Sequence, residues 1–446
     1  MTKVITYGTY DMLHRGHIRL LQRAKAMGDY LIVGVTAEAF DRARGKLNVK
    51  QSTMDRVMAV KALGIADQII IEEYEGQKID DILRYDVDIF TVGSDWTGKF
   101  DYLRAYCQVV YLPRTEGISS SALRAEERSL RLGIVGELPF LAKFEREAEA
   151  VNGLHISGLC TQSHELADTL RETIPFVTDD YGALLGRCDA VYLISPPQQH
   201  EAQIRRALAA GKHVLCESPV TLDPAAYDAL RELAAARGCI LMEAQKTAYT
   251  TAYYRLLLLV KSGRIGRVVS IDATCTSLRP AQTPPGQPAW NSIEEWGVVA
   301  MLPVFQLLGT SYAAKQIVSR FVDEAHHRDD FTRISFLYPD AVATVCAGNG
   351  VKAEGDMVIA GTKGYIYVPA PWWKTDYFEI RYENPAENKR YFYALEGEGI
   401  RYEQVSFLKS VQTGKAQNYI TPDVTRQMAA VLADFYRGTD VIALRS

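Results

Sequence analysis

The chain has 446 residues, 48% of them hydrophobic and 23% charged, with a formal net charge of -4. That length exceeds one ordinary domain and implies two or three cores, in a globular protein rather than a disordered or fibrous one. The slight negative charge, with no run of like charges, offers nothing to nucleic acid or an anionic membrane, so a small-molecule partner is expected.

Residues 1–128 alternate strand and helix. Strands are expected at 3–7, 30–36, 68–71, 89–92 and 109–112, with helices over 17–27 and from 122, a parallel α/β pattern. Near residue 129 the cycle restarts with a strand at 130–135, a helix at about 141–151 and a strand at 155–160. Further strands at 190–194, 213–216 and 240–243, separated by Ala-rich helices, predict a Rossmann-like domain over 129–247. From about 248 the runs become β-rich, at 268–276, 333–337, 341–347 and 376–382, which predicts an α+β domain with a largely antiparallel sheet over 248–446. The Pro-rich stretch 279–288 reads as an exposed loop.

The longest aliphatic block, residues 256–260, is far short of a membrane span, and residues 1–5 read as a strand rather than a secretory signal, so a cytoplasmic protein is expected. Seven cysteines stand far apart with no Cys-x-x-Cys pair, which argues for reduced core residues over a zinc site or disulfide framework.

The sharpest local signal is YGTYDMLHRGH at 7–17, where a strand ends at a glycine and a helix begins near His17. Backbone N–H groups at a helix start lack intrahelical partners and sit at the positive end of the dipole, so such a turn favours phosphate. His14 and His17, with Gly16 between them, suit an α-phosphate, because nucleotidyl transfer needs chiefly positioning and donors to the charge that develops on phosphate oxygens. The alternative is that His14 caps a turn and His17 starts a helix, with no chemical role. A second polar turn, RTEGISSS from Arg114 to Ser121, follows the strand at 109–112; its serines suit a helix cap and a phosphate tail, and Arg114 a bidentate fork.

With GSDWTGKFDYL at 93–103 and VVYLPRTEGIS at 109–119, residues 1–128 resemble the glycerol-3-phosphate cytidylyltransferases of the HxGH nucleotidyltransferase superfamily. The resemblance implies catalytic roles for His14, His17, Lys46 and Arg114. It implies nucleotide contacts from Thr9, Tyr10, Gly16, Arg114, Thr115, Gly117, Ile118, Ser119, Ser120 and Ser121, and places Asp11, Arg44 and Lys78 nearer a polyol phosphate. Arg44 stands where relatives often carry lysine, and Arg56 is a further phosphate candidate. Without the family, Lys46 and Lys78 read as solvated lysines, and Trp96 as a loop anchor rather than a wall of the base pocket. The implied substrates are CTP and a small polyol phosphate, sn-glycerol 3-phosphate first, with Mg²⁺ shared among phosphate oxygens. The products would be pyrophosphate and a CDP-alcohol for a cell-surface polymer.

From Leu130 onward the chain resembles the Gfo/Idh/MocA oxidoreductases, through LISPPQQH at 193–200, AAGKHVLCESP at 209–219 and GEGIRYEQVSF at 397–407. The resemblance implies a dinucleotide turn at Gly133 and Gly136, but the departures fall on its chemistry. Leu138 stands where a glycine would admit a pyrophosphate, Thr161-Gln162 replaces an acid for the ribose, the relatives' Glu-Lys-Pro reads Glu217-Ser218-Pro219, and the downstream histidine aligns to Val299. The first expectation is therefore a degenerate domain kept for assembly, as in a homodimer, or for dinucleotide sensing, with NAD(P) binding weakened by the lost glycine. Against it stand Lys246 and Tyr249, either of which could donate a proton beside Glu217. The half would then reduce a phosphorylated ketose or aldose to the polyol phosphate used by the first domain. The run from His326 to Asp330 reads as a solvated loop rather than a metal site, and Trp372 and Trp373 as packing or interface residues rather than a sugar pocket.

Overall fold

The structure, a computed structural model, describes residues 1–43, 49–74, 76–113, 129–151, 153–278, 290–323, 325, 327–393, 395, 397–417 and 419–444, and the counts and absences below refer to these. The chain forms two units, Met1–Ser129 and Leu130–Ser446.

In the first unit, β1 (Lys3–Gly8), β2 (Tyr30–Thr36), β3 (Gln68–Glu72), β4 (Ile89–Gly93) and β5 (Gln108–Leu112) form an all-parallel sheet in the order β3-β2-β1-β4-β5. Helices α1 (Arg15–Lys25), α2 (Glu38–Ala43), α3 (Thr53–Ala62) and α4 (Gln77–Tyr85) connect the strands. β2 is an almost continuous buried apolar run, as a strand covered on both faces requires. Adjacent residues of β1 enter different cores. Val4 packs with Leu21, Ala24, Leu31 and Val60, whereas Ile5 packs with Ile32, Ile82, Phe90 and Val109. A reciprocal cap starts α3: Ser52 Oγ accepts from the Asp55 N–H, and the Asp55 carboxylate accepts from the Ser52 N–H, both at 3.2 Å. That start sets the helix so that Arg56, one residue on, enters the interior. β1 lies between β2 and β4, so its carboxyl end marks the switch point at which open parallel sheets bind ligands.

The second unit opens with another all-parallel sheet, in the order β11-β10-β9-β6-β7-β8. Its strands are β6 (Leu130–Val135), β7 (Leu154–Cys160), β8 (Val177–Thr178), β9 (Ala190–Leu193), β10 (His213–Glu217) and β11 (Leu241–Ala244). Between them run α5 (Phe140–Ala148), α6 (His164–Leu170), α7 (Tyr181–Leu185), α8 (Pro197–Ala209) and α9 (Pro224–Ala236). Leu193, Ile204, Leu208, Val214 and Leu230 form part of the core. After α10 (Lys246–Tyr249) and α11 (Thr251–Lys261) come β12 (Val268–Thr276), α12 (Val298–Leu308), β13 (Ala314–Asp323), β14 (Arg328–Leu337), β15 (Val342–Gly348), β16 (Met357–Gly361), β17 (Tyr365–Val368), β18 (Tyr377–Arg381), β19 (Lys389–Phe392), α13 (Ile400–Thr413), α14 (Pro422–Arg437) and β20 (Val441–Leu444). The strands build a nine-stranded sheet in the order β19-β18-β17-β16-β12-β15-β14-β13-β20, antiparallel except where β12 meets β15 and β13 meets β20. The α/β class with a later, largely antiparallel sheet is therefore as the sequence predicts.

Residues 248–446 do not pack only on themselves. α13 returns to the parallel sheet, where Gln404 Nε2 donates to the Phe144 carbonyl (2.9 Å) and Glu147 accepts from the Arg401 N–H (2.9 Å). The charged run that reads as a solvated loop instead begins β14. Asp329 is 5% exposed, accepts from Thr332 Oγ1 (2.6 Å), and is pushed up to about 6 by burial, while the His327 ring packs on Tyr436. His326 and the Pro-rich stretch lie outside the described residues. Trp372 is a packing residue as expected, fully buried with its indole N–H on the Thr274 carbonyl (3.0 Å). All seven cysteines are unpaired, four of them buried. No described helix is long and apolar enough to cross a membrane.

Candidate active site

β1 ends at Gly8, where a Cβ would lie 2.9 Å from Cζ of Tyr10, so glycine is required for that ring to fold back over the strand end. Tyr10 and Met12 adopt φ values of +53° and +49°, unfavourable for residues with side chains; packing, not propensity, bends the loop before α1. The bend delivers His14 to the cap position of α1, where its Nδ1 accepts the Gly16 N–H at 3.0 Å. A neutral imidazole whose Nδ1 accepts presents Nε2–H as a donor. The His14 and His17 rings stack with centroids 3.9 Å apart and planes 22° from parallel, and Tyr10 meets His17 edge-on at 5.5 Å. His14 does cap the helix, and the cap fixes the orientation of its ring.

The other candidates of the first unit divide. Thr9 is buried, with its hydroxyl donating to Asp41 Oδ1 (3.0 Å). Asp11 is 2% exposed and accepts the N–H groups of Lys50 (3.2 Å) and Gln51 (3.0 Å), so its carboxylate pins that segment to the loop. Arg56 corrects the sequence reading as a phosphate ligand. It is completely buried, donates from Nη1 to the carbonyls of Thr9 (2.7 Å) and Thr36 (2.8 Å), and lies 3.4 Å from Asp41 Oδ2. Lys78 is not a solvated lysine either. It is buried on α4, paired with the Glu72 carboxylate and 4.6 Å from the centre of the Tyr7 ring. Glu72 also accepts from Thr36 Oγ1 (2.8 Å), and the Tyr7 hydroxyl donates to Asp81 Oδ2 (2.8 Å). This buried network joins the carboxyl ends of β1, β2 and β3, and its members other than Lys78 carry no local sequence signal. Trp96 is 39% exposed and packs its ring on Phe100 at 5.7 Å, as a loop anchor would. Arg44, Lys46, Arg114, Thr115, Gly117, Ile118, Ser119, Ser120 and Ser121 lie outside the described residues. No group of three His, Cys, Asp or Glu side chains among the described residues is arranged to hold a metal ion.

In the second unit, Gly136 (φ +149°) bends the chain after β6 and passes so close to Ile194 that a Cβ would lie 2.7 Å from its Cγ2. Gly133, inside β6, makes room for Leu184 instead. Although β7 supplies no acid, a carboxylate does stand at its end. Glu137, from the neighbouring turn, accepts from the Gln162 N–H (2.7 Å) and the Thr161 hydroxyl (3.0 Å). Leu138 is 36% exposed on the same turn.

Glu217, ending β10, accepts from the Tyr192 hydroxyl (2.6 Å), and Ser218, in the place of the relatives' lysine, donates to Glu243 Oε1 (2.5 Å). Lys246 stands just beyond β11, 5.4 Å from the centre of the Phe140 ring, with its ammonium 3.6 Å from Glu398 Oε2. Burial pushes the Glu217 and Glu403 carboxyls up from the usual range, and the Lys246 charge pulls both back. Tyr249 is removed from the list of proton donors. It is buried, its hydroxyl donates to the Glu243 carbonyl (2.6 Å), and burial drives its pKa well above the ordinary value. Glu137, Lys143, Lys374, Glu398 and Glu403 were not singled out by sequence; only the 397–407 segment pointed toward two of them.

Comparison with known proteins follows the same division. Residues 5–126 match the Cytidylyltransferase-like family, and residues 130–245 match the Gfo/Idh/MocA oxidoreductase family with its NAD-binding Rossmann fold. The glycerol-3-phosphate cytidylyltransferase of Bacillus spizizenii is 45% identical over 130 residues, which are 29% of this chain and all of the relative; that of Staphylococcus aureus is 47% identical over 126 residues, 28% of this chain and 95% of the relative. A dTDP-3,4-didehydro-2,6-dideoxy-alpha-D-glucose 3-reductase of Streptomyces violaceoruber is 35% identical over 153 residues, 33% of this chain and 45% of the relative. Among solved structures, a 3-ketoreductase from Actinomadura kijaniata in complex with NADP and TDP-benzene superposes with a TM-score of 0.62 at 19% identity, covering 71% of this chain and all of the other. The chain therefore belongs to the cytidylyltransferase-like family through its first unit, with homology that supports nucleotidyltransferase activity, and carries a Gfo/Idh/MocA oxidoreductase domain in its second.

Proposed function

We propose that the first unit joins CTP to sn-glycerol 3-phosphate, releasing pyrophosphate and CDP-glycerol. The observation that carries the reading is the stacked His14–His17 pair at the switch point of the sheet, in a unit matched over the whole length of a glycerol-3-phosphate cytidylyltransferase. An oxygen of the acceptor phosphate attacks the α-phosphorus in line with the departing pyrophosphate. The Nε2–H of His14 and the positive end of the α1 dipole offer stabilisation to charge that grows on the phosphate oxygens. Lys46 and Arg114 are assigned to the transferring and leaving groups, Arg44 to the acceptor, and Thr115 and Ser119 to the triphosphate, all by family resemblance. Mg²⁺ would arrive with the triphosphate, held by phosphate oxygens rather than by a protein cage. The test is pyrophosphate release from CTP with sn-glycerol 3-phosphate, ribitol 5-phosphate and erythritol phosphate side by side. Glycerol phosphate is expected to give the highest kcat/KM, and a preference for a longer polyol would refute the acceptor assignment.

A second reading, that the C-terminal unit is an active reductase, is favoured by the position of Lys246. A lysine is missing at Ser218, yet an ammonium from the next strand end acts on the Glu217 carboxyl. Part of the turn fits a dinucleotide: Gly136 offers backbone without a side chain, although Leu138 stands on the same turn, and Glu137 places a carboxylate at the end of β7 where a ribose hydroxyl could be met. When bound, a reduced nicotinamide would supply hydride to a carbonyl carbon. Lys246 would deliver a proton to the carbonyl oxygen, with Glu398 as the carboxylate paired to its ammonium. Reduction of a phosphorylated ketose would give a polyol phosphate, the class of acceptor used by the first unit. NADPH or NADH oxidation by C3 to C5 keto-phosphates is expected, with kcat lowered about 10²-fold or more in Lys246→Met; no oxidation across that panel would refute the reading.

A further inference from the structure

Three lysines from separate parts of the second unit converge on one carboxylate. Lys143 on α5 lies 3.1 Å from Glu398 Oε1, while Lys246 after β11 and Lys374 after β17 lie 3.6 Å and 2.6 Å from Oε2. Lys246 and Lys374 share one oxygen, so their ammonium groups can be no farther apart than those two contacts laid end to end. Hydrogen bonding from Lys374, with help from Lys143 and Lys246, holds the Glu398 carboxyl down to about 2, so one full negative charge faces three positive ones at neutral pH. The neighbouring acids do not restore the balance. Glu147 is engaged by Arg401, and Glu217 and Glu403 are pushed toward their neutral forms by burial. The surplus of positive charge gathered at one carboxylate favours a further anion joining it.

We propose that Lys143 and Lys374 form the binding site for a phosphate monoester, the anionic end of a small substrate of the C-terminal unit, with Lys246 beside them left for the carbonyl end. A phosphate dianion would bring the three ammonium groups and Glu398 to neutrality, and the two exposed cations suit its oxygens as point-charge donors. The site stands at the carboxyl edge of the parallel sheet, since Lys246 follows β11 and lies against Phe140, the first residue of α5. Its rim has a surface for the carbon chain. Thr247 Oγ1 donates to the Trp373 carbonyl (2.8 Å), which keeps Trp373 beside the lysines, and its half-buried ring meets Trp296 at 5.0 Å. Glu403 Oε2 is buried without a hydrogen-bond partner among the described residues, so unmet polar capacity remains in this unit.

The inference rests on the reading of this unit as a small-molecule site but not on hydride transfer, so its test contains no nicotinamide. A five-carbon ketose phosphate and its unphosphorylated ketose are titrated calorimetrically, at two temperatures, into the full chain and into Lys374→Gln, Lys374→Arg and Lys143→Gln/Lys374→Gln. Lys143 and Lys374 are substantially exposed, so these variants should fold, which circular dichroism checks. Saturable binding of the phosphate ester is expected, weakened about tenfold in Lys374→Gln, further in the double variant, and partly restored in Lys374→Arg, with the free ketose bound far more weakly. Equal affinity in the full chain and the double variant, equal affinity for the free ketose, or no heat at either temperature would overturn the proposal. Failure of the reductase assay with this binding intact would leave the site standing and remove only the redox reading.

Discussion

Replacing His14 by alanine is expected to lower kcat for CTP-dependent pyrophosphate release by about 10²- to 10³-fold, the usual loss when a donor aimed at developing charge is removed. On the proposed mechanism His14 does two things at once: its Nδ1 satisfies the Gly16 N–H at the start of α1, and its Nε2 serves as a donor to the phosphate. Alanine removes both, so a fall in activity with that variant alone would not separate capping from chemistry. Asparagine separates them, because its side-chain oxygen is among the best helix caps yet reaches no farther than the position of Nδ1. His14→Asn should therefore retain the thermal stability of the first unit, where alanine loses about 0.5–2 kcal/mol, while activity stays as low as in alanine. The loss should fall on kcat more than on KM, since the donor matters most where charge grows. Recovery of activity in His14→Asn would mean that the residue only starts the helix.

The largest effect on stability is expected from Arg56→Met. The guanidinium and the Asp41 carboxylate are both fully buried, and the same Nη1 serves the carbonyls of Thr9 and Thr36. Removing one partner of a buried pair typically costs about 3–5 kcal/mol, whereas replacing both can be nearly neutral. Urea unfolding of the first unit should show that loss in Arg56→Met and a large part of it regained in Arg56→Met/Asp41→Asn. Because Thr9 leads directly into the loop that carries His14, the single variant should also lose activity below its unfolding midpoint. A loss under about 1 kcal/mol would show that the carbonyls and Asp41 find other partners at little cost.

Much of the architecture is legible in the order of the residues. Largely apolar runs such as 30–36 and 130–135 coincide with β2 and β6 because a strand covered on both faces needs few polar positions, and that pattern is local. The histidine pair is equally local: a strand, a glycine and a helix start within a few residues place both rings on one turn. Among the strands missing from the sequence reading, β20 lies at one edge of the large sheet with none of its residues buried, so it lacks the alternation that marks a half-buried strand, while β16 and β17 are too short for an alternation to stand out.

The sequence by itself therefore determined two α/β units, a later antiparallel sheet, and a phosphate-seeking turn at His14 and His17. The tertiary structure alone decided which charged residues are open to a ligand. Arg56 and Lys78 resemble surface cations along the chain, but Asp41 on α2 and Glu72 on β3 reach them only after folding and hold them inside. Lys143, Lys246 and Lys374 look unrelated, yet α5, β11 and the turn after β17 bring them to one carboxylate. The reason is physical: hydrophobic periodicity is written in neighbouring residues, whereas the cost or benefit of a charge depends on the dielectric and on counter-charges from distant ones.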